Sequence, residues 1–347
     1  MKIAENLPIK SLTTMRLGGP ARFVLTVETP TDITKAYYFA KEHSLPIWIM
    51  GGGANTIGQD TGFEGVIVLN RIKGIKIVEQ TPDFTKIKAY GGEIWDDLVA
   101  FSTTKQLSGI EAMSAIPGTV GAAPVQNIGA YGQDIAQVLE SVEVYDSKTQ
   151  KTITLPASEL NLGYRQSIFN TGSAVGRYFI IAITIKLHKT ELQPPFYTSL
   201  QNYIDSHHES DFSPANIRRI VSLVRDSKLP DPKYIASAGS FFKNINLTPA
   251  EIPAAEQKGI KVWQNPNGTN IVNSGWLIEQ CNLKGQLFHG MRVSDKAALI
   301  LINESAKSYA DLAAARTKIQ SIVKTKFGFD LEQEPVEIPS RKEATSA

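Results

Sequence analysis

The sequence holds a single cysteine, Cys281. No intrachain disulfide can staple the fold, which must be held by its cores, as suits a reducing compartment. Histidine is scarce too, with five in the chain, and no His or Cys recurs at metal-site spacing. The adjacent His207 and His208 lie in a polar stretch and cannot share a helix face, so they are assigned to the surface and no metal is expected. No segment approaches the roughly 18 uninterrupted apolar residues of a membrane span, and MKIAENLPIKSLTTM lacks the apolar centre of a signal peptide. Charge of one sign is lacking as well. The 36 Lys and Arg against 34 Asp and Glu leave a net +2, scattered along the chain, with no electrostatic reason to expect nucleic acid or an anionic membrane as partner. A soluble cytoplasmic protein is expected. Without a GxSxG, a Ser/His/Asp spacing or a catalytic-cysteine context, hydrolysis by nucleophilic attack has no support.

What the chain has is glycine in two concentrated places. Residues 116–132, IPGTVGAAPVQNIGAYG, combine Gly118, Gly121, Gly129 and Gly132 with Ala122, Ala123 and Ala130. That leaves a length of backbone with few bulky side chains, which a planar ligand can approach closely and whose amides suit phosphate and heteroaromatic edges. The alternative is a pair of tight turns joining core elements. The apolar run Leu45–Met50 ends in a second group, Gly51, Gly52, Gly53, Ala54 and Asn55, a strand-to-loop junction able to fold around a pyrophosphate. It has neither the Lys-Ser/Thr of a P-loop nor the GxGxxG spacing of the dinucleotide fingerprint.

At 347 residues two or three domains are expected. Strands are predicted at 22–27, 65–69, 74–78, 85–90, 141–145, 152–155 and 178–187, with helices at 31–43 and 95–107. Residues 1–194 therefore form an α+β region, with two subdomains at about 1–72 and 73–194, in which the two glycine loops face one ligand. Pro194 and Pro195 mark a change. A helix over 213–227 follows, with Ser213 as cap and Pro214 as first helical residue; further helices are predicted near 274–281 and 310–325, with an apolar run at 297–302. Residues 195–330 make a second, smaller α+β domain, and 331–347 a C-terminal segment that carries Glu334 and ends in the polar, mobile tail SRKEATSA. Three small constellations stand out for chemistry. Arg165 beside Tyr164 suits a bidentate clamp on a carboxylate; Ser240 sits between glycine and two phenylalanines; Glu334 follows a strand-like run. The unremarkable readings are a surface arginine, a turn serine and a solvated glutamate.

Taken in order, TTMRLGGPA (13–21), GGGAN (51–55), GIEAMSAIPGTVGAAPVQNIGAYGQDI (109–135), YRQSIF (164–169), SKLPDP (227–232), AGSFFKN (238–244), GWLIEQCNLKG (275–285) and FGFDLEQE (327–334) resemble the UDP-N-acetylenolpyruvoylglucosamine reductases in their longer form. These are bacterial flavoenzymes of peptidoglycan precursor synthesis, and the resemblance spans nearly the whole chain. It implies an FAD-binding domain of the vanillyl-alcohol oxidase type followed by a substrate domain. FAD would be held noncovalently by Gly51, Gly52, Gly53, Ala54 and Asn55 at the pyrophosphate, and by Pro117, Gly118, Thr119, Gly121, Ala122, Asn127, Gly129, Ala130 and Tyr131 at pyrophosphate and flavin. NADPH would be the co-substrate and the enolpyruvyl UDP-sugar the substrate of a monomeric enzyme. By the same resemblance Arg165 and Glu334 surround the substrate carboxylate and stabilise the enolate-like charge, Glu334 acting protonated or through a bridging hydrogen bond. Ser240 protonates carbon, and Tyr164, Tyr197, Lys228 and Asn244 bind substrate. Ala54 stands where the family usually has serine, Ala122 where glycine is common, Ile245 in place of a proline and Ile271 in place of a lysine, departures that bear on fine contacts more than on the reaction. Other flavoenzymes of the same fold, and a flavin or nucleotide-sugar binder without catalysis, remain the alternatives. A covalent flavin would need a His or Cys in the flavin loops, and 109–135 contains neither.

Overall fold

The apolar runs of the first two hundred residues become two sheets. In the computed structural model, which describes residues 1–194, 196–264 and 268–339, the first sheet orders its strands Lys2–Pro8, Pro20–Val27, Phe63–Asn70 and Ile47–Met50. The last two run parallel, with Ile47 opposite Val66 and Met50 opposite Leu69. Lys2–Pro8 was not foreseen, because it is almost wholly exposed and shows no apolar alternation. The helix Pro30–Glu42 opens with a capping box, Thr29 accepting from the Asp32 N–H and Asp32 from Thr29, with proline at its start. Its buried stripe of Ile33, Ala36 and Ala40 packs on Leu25, Val27, Val66 and Val68.

The second sheet is antiparallel and ordered Lys151–Pro156, Leu139–Asp146, Tyr178–His188, Phe84–Tyr90, Ile75–Gln80. Its central strand serves two cores. Phe179 and Ile181 join the core of the first sheet, while Ile183, Ile185 and Leu187 join a core with Trp95, Leu98 and Val142; a strict two-residue period would keep all five on one face, and the change of face falls at the register shift where Ala182 pairs with Glu143 but Ile180 with Val144. The helix at Trp95 ends at Thr104 rather than Leu107: the hydroxyls of Ser102, Thr103 and Thr104 turn back onto carbonyls three residues earlier, and Gln106 takes a left-handed φ of 55°. Helices Thr198–His207 and Pro214–Lys228 share a small core of Leu200, Ile204, Ile217, Ile220 and Val224. Ser213 Oγ caps the latter by accepting from Asn216 N at 3.4 Å, as its Ser-Pro start implies.

By contacts the chain divides into two units, and the division is discontinuous. The first comprises Met1–Leu7, Ala21–Gly52 and Glu64–Arg225; the second comprises Pro8–Pro20, Gly53–Phe63 and the chain from Asp226, whereas contiguous segments were expected. The reason is burial: Met15, Leu17 and Ile57 belong to the core formed by Phe241, Phe242, Leu277, Leu312 and Ile319. Within the second unit lie a four-stranded sheet, ordered Ser237–Ser240, Ile300–Asn303, Met291–Val293 and Leu287–Phe288, and a parallel pair of Thr56–Gly58 with Val336–Ile338. The long helix Tyr309–Phe327 has a Ser308/Asp311 capping box and ends at Gly328 with φ 82°. Pro195 and the tail from Ser340 lie outside the described residues. Among the described residues no helix is long and apolar enough to cross a membrane, and no group of three or more His, Cys, Asp or Glu could hold a metal ion.

Candidate functional site

In the first unit the two glycine loops meet. Strand Ile47–Met50 runs into Gly51 and Gly52, and a Cβ on Gly52 would lie 3.1 Å from the Gly118 Cα, while one on Gly51 would lie 2.2 Å from Thr119 Oγ1 and 3.5 Å from the Ala122 Cβ. Side chains at 51 or 52 would fill the approach, which explains the glycines. Gly118 has φ 129° and open space where a Cβ would be. The loop is pinned from below: Trp95 N donates to Gly118 O (3.1 Å), Val120 N to Glu93 O (2.9 Å) and Gly121 N to Gly91 O (2.9 Å). Arg71 Nη1 donates to the Gly51 (2.9 Å) and Asn70 (2.8 Å) carbonyls. Pro117 and Ala122 are exposed, Thr119 buried. The Thr119 hydroxyl has no hydrogen-bond partner among the described residues, an unusual state for a buried polar atom. Two glycine loops in close backbone contact, with one uncommitted buried hydroxyl between them, form a surface of bare backbone that suits a flat, phosphate-bearing group.

The turn carrying Arg165 is tied to this loop. Asn127, buried with φ 44°, donates through Nδ2 to Gly163 O (3.0 Å) and accepts from Ala136 N (3.1 Å). Ser167 Oγ donates to Val125 O at 2.6 Å. Arg165 has φ 54°, its guanidinium carbon 5.7 Å from the Tyr164 ring centroid, and Tyr164 is exposed. Gly129 and Ala130 pair with Asp134 and Gln133. Burial pushes the Asp134 carboxyl up, although the Arg165 charge opposes this. Tyr131 meets Tyr197 edge to face at 5.8 Å. Burial raises the Tyr131 hydroxyl above its ordinary value, with the nearby Arg225 opposing the shift. Tyr197 occupies the N-cap position of the helix Thr198–His207 without a side-chain capping bond and is half exposed.

The second unit gathers the other predicted residues. Gly53, at φ 66°, is irreplaceable by geometry, because a Cβ would lie 2.0 Å from Leu12 O. Ala54 O accepts from Thr14 Oγ1 (3.5 Å) and Asn55 O from Val336 N (2.9 Å). Ser240 ends its strand opposite Ile300. Glu334 N donates to Phe241 O at 3.0 Å and Gln333 bridges to Phe242, so Ser240 and Glu334 are held by adjoining backbone although distant in sequence. Asn244 Oδ1 accepts from Ser274 N (3.2 Å), and Lys228 is exposed. Arg165 belongs to the first unit; Ser240, Asn244 and Glu334 belong to the second.

Residues 21–155 match the family model of an FAD binding domain, and residues 231–338 match that of the UDP-N-acetylenolpyruvoylglucosamine reductase C-terminal domain. The chain is similar to the UDP-N-acetylenolpyruvoylglucosamine reductases of Burkholderia multivorans, 32% identical over 340 residues and covering 97% of each chain, and of Ralstonia nicotianae, 34% identical over 336 residues, 95% of this chain and 98% of the relative. The chain belongs to the UDP-N-acetylenolpyruvoylglucosamine reductase family. The crystal structure of the reductase from Thermus caldophilus shares the fold, with a TM-score of 0.67 at 21% identity over 97% of this chain and 99% of that one. The expected α+β architecture, an FAD-binding domain followed by a C-terminal domain, is thus met, and a member of this reductase family is an FAD-dependent oxidoreductase.

Several site-forming residues escaped the sequence reading. Arg71 holds the Gly51 carbonyl, and Arg225 faces Tyr131. Asp96 binds Arg218 through both carboxylate oxygens (2.5 and 2.8 Å) and accepts from Ala115 N at 2.6 Å, just before the reductase-type glycine loop, where Ala115 has φ 57°. Burial alone would raise the Asp96 carboxyl, but these donors outweigh it and hold it low. Each is a charged residue in an ordinary helical or strand-end context, with no local signal to mark it.

Proposed function

We propose that this chain reduces UDP-N-acetylenolpyruvoylglucosamine to UDP-N-acetylmuramate with electrons from NADPH, as a cytoplasmic monomer serving peptidoglycan precursor synthesis. The observation that carries the reading is the Glu334 N to Phe241 O hydrogen bond, which sets the carboxylate-bearing segment beside Ser240 within a chain similar throughout to reductases of that name. FAD, bound noncovalently, supplies the hydride chemistry between the two substrates. The chain's part is binding and charge. The backbone surface of Gly51, Gly52, Gly118, Thr119 and Ala122 holds the pyrophosphate and isoalloxazine regions, with Gly53, Ala54, Asn55, Pro117, Gly121, Asn127, Gly129, Ala130 and Tyr131 completing the cofactor set. In the structure Asn127 spends its side chain on Gly163 and Ala136, so its contribution there is to shape the loop. Tyr164, Tyr197, Lys228 and Asn244 bind the UDP-sugar, the lysine as a point charge for diphosphate. Arg165 fixes the substrate carboxylate and, with a protonated or hydrogen-bond-bridged Glu334, stabilises the negative charge that develops on it, an electrostatic contribution of the oxyanion-hole type. The Ser240 hydroxyl donates the proton to the adjacent substrate carbon.

The test is the absorption spectrum of the purified protein under anaerobic conditions. NADPH should bleach the flavin bands and the enolpyruvyl UDP-sugar should restore them. Bleaching without restoration by that sugar would replace the substrate with that of another flavoenzyme; a protein unable to take up FAD would overturn the whole reading.

A further inference from the structure

We propose that Gln333, clamped by the buried Arg316–Glu337 ion pair, is the positioning residue for Glu334. The inference rests on the catalytic reading of Glu334 above. Glu334 lies in an irregular stretch between the helix Tyr309–Phe327 and the short strand Val336–Ile338, held at the backbone by Phe241 and Phe242 but by no regular element of its own. Its neighbour supplies what the backbone lacks. Gln333 accepts through Oε1 from Arg316 Nη1 at 2.6 Å, and donates through Nε2 to Pro335 O at 2.7 Å and Glu337 Oε1 at 3.2 Å. The Gln333 side chain thus spans the Glu334 position, tied to carbonyl and carboxylate on its far side, while the backbone of the same two residues is paired with Phe241 and Phe242. The same Arg316 nitrogen donates to Glu337 Oε1 at 2.6 Å. Arg316 and Glu337 are only 7% and 5% exposed. A buried ion pair adds little net stability over an apolar replacement of the same volume, but here its two members bond the oxygen and the nitrogen of the Gln333 amide and so fix its orientation, which is what a positioned carboxylate requires.

Gln333→Met keeps the volume and leaves the Arg316–Glu337 pair intact while removing all three amide contacts. The expected result is a protein that melts within a few degrees of wild type and binds FAD normally. NADPH should reduce its flavin at the wild-type rate, and calorimetry should show unchanged affinity for the enolpyruvyl UDP-sugar. Flavin reoxidation by that sugar should fall roughly tenfold to a hundredfold in kcat, with KM nearly constant, the signature of a displaced catalytic group. Should Gln333→Met not fold, Gln333→Asn decides the matter, since it retains the amide but is one methylene too short to span Arg316 and Pro335; the same split is expected. Wild-type reoxidation in a folded variant, or an equal fall in both half-reactions, overturns the positioning role. If wild-type protein itself fails to reoxidise with the sugar, the catalytic reading falls instead, so the two failures are separable.

Discussion

Gly51→Ala probes the surface where the two glycine loops touch. The added Cβ would lie 2.2 Å from Thr119 Oγ1 but 3.5 Å from the Thr119 and Ala122 Cβ atoms, so one atom alone is in the way. A relaxed contact needs roughly 3.5 Å, leaving about 1.3 Å to be found. The Thr119 backbone cannot supply it, because Gly118 O, Val120 N and Gly121 N are bonded to Trp95, Glu93 and Gly91. The hydroxyl must turn, in a β-branched side chain with few rotamers, at a cost of about 1–3 kcal/mol for overpacking. Turning also withdraws the uncommitted hydroxyl from that surface, so FAD affinity should fall with stability. In a Thr119→Ala background the offending atom is gone, and the same Gly51→Ala change, at a residue without a positive φ, should be roughly neutral, giving a coupling of about 1–3 kcal/mol. Denaturant unfolding of the four apoproteins measures the stability cycle, and quenching of flavin fluorescence on titration measures FAD affinity. Costs that simply add, to within about 0.5 kcal/mol, would show that the two side-chain positions do not meet and would refute the contact between the loops.

Ser240→Ala should leave flavin reduction by NADPH intact while slowing reoxidation by the UDP-sugar by about 10²–10⁴; unchanged stopped-flow reoxidation would remove serine from the proton-donor position. The Arg177 guanidinium, bonded to both oxygens of the buried Asp146 (2.7 Å each), holds that carboxyl far below the usual range. A depressed folded pKa gives stability that is present above the unfolded value of about 4 and is lost as pH falls. Urea midpoints should therefore decline below about pH 4, and the acid limb should flatten in Asp146→Asn; an unchanged slope would place the acid sensitivity elsewhere. Ser308→Ala removes the hydroxyl that accepts from Asp311 N at 3.1 Å and should destabilise the chain by about 1 kcal/mol, checked by the same unfolding curves. Asp96→Ala strips Arg218 and Ala115 N of a half-buried partner and should cost about 1–3 kcal/mol with weakened FAD retention; loss of stability without loss of FAD would confine the pair to helix packing.

Much of this protein was determined by local sequence. Glycine clusters, a Ser-Pro helix start, helical spacing of apolar residues and apolar runs act through backbone conformation and nearest neighbours. Hence the helices at Pro30–Glu42 and Pro214–Lys228, the strand Tyr178–His188 and the glycine junction after Met50 were all legible, and the ordered motifs were enough to indicate the family. The helix of 95–107 was overextended because Ser and Thr hydroxyls compete for helical carbonyls in a way that periodicity does not register. Only the tertiary structure decided that Pro8–Pro20 and Gly53–Phe63 belong with the C-terminal unit, because a Met15 or an Ile57 carries no mark of which core will bury it. Only it could pair Glu334 with Phe241, Gln333 with Arg316, and Asp96 with Arg218, for charge and amide contacts between residues distant in sequence depend on how the chain folds back and not on the residues themselves.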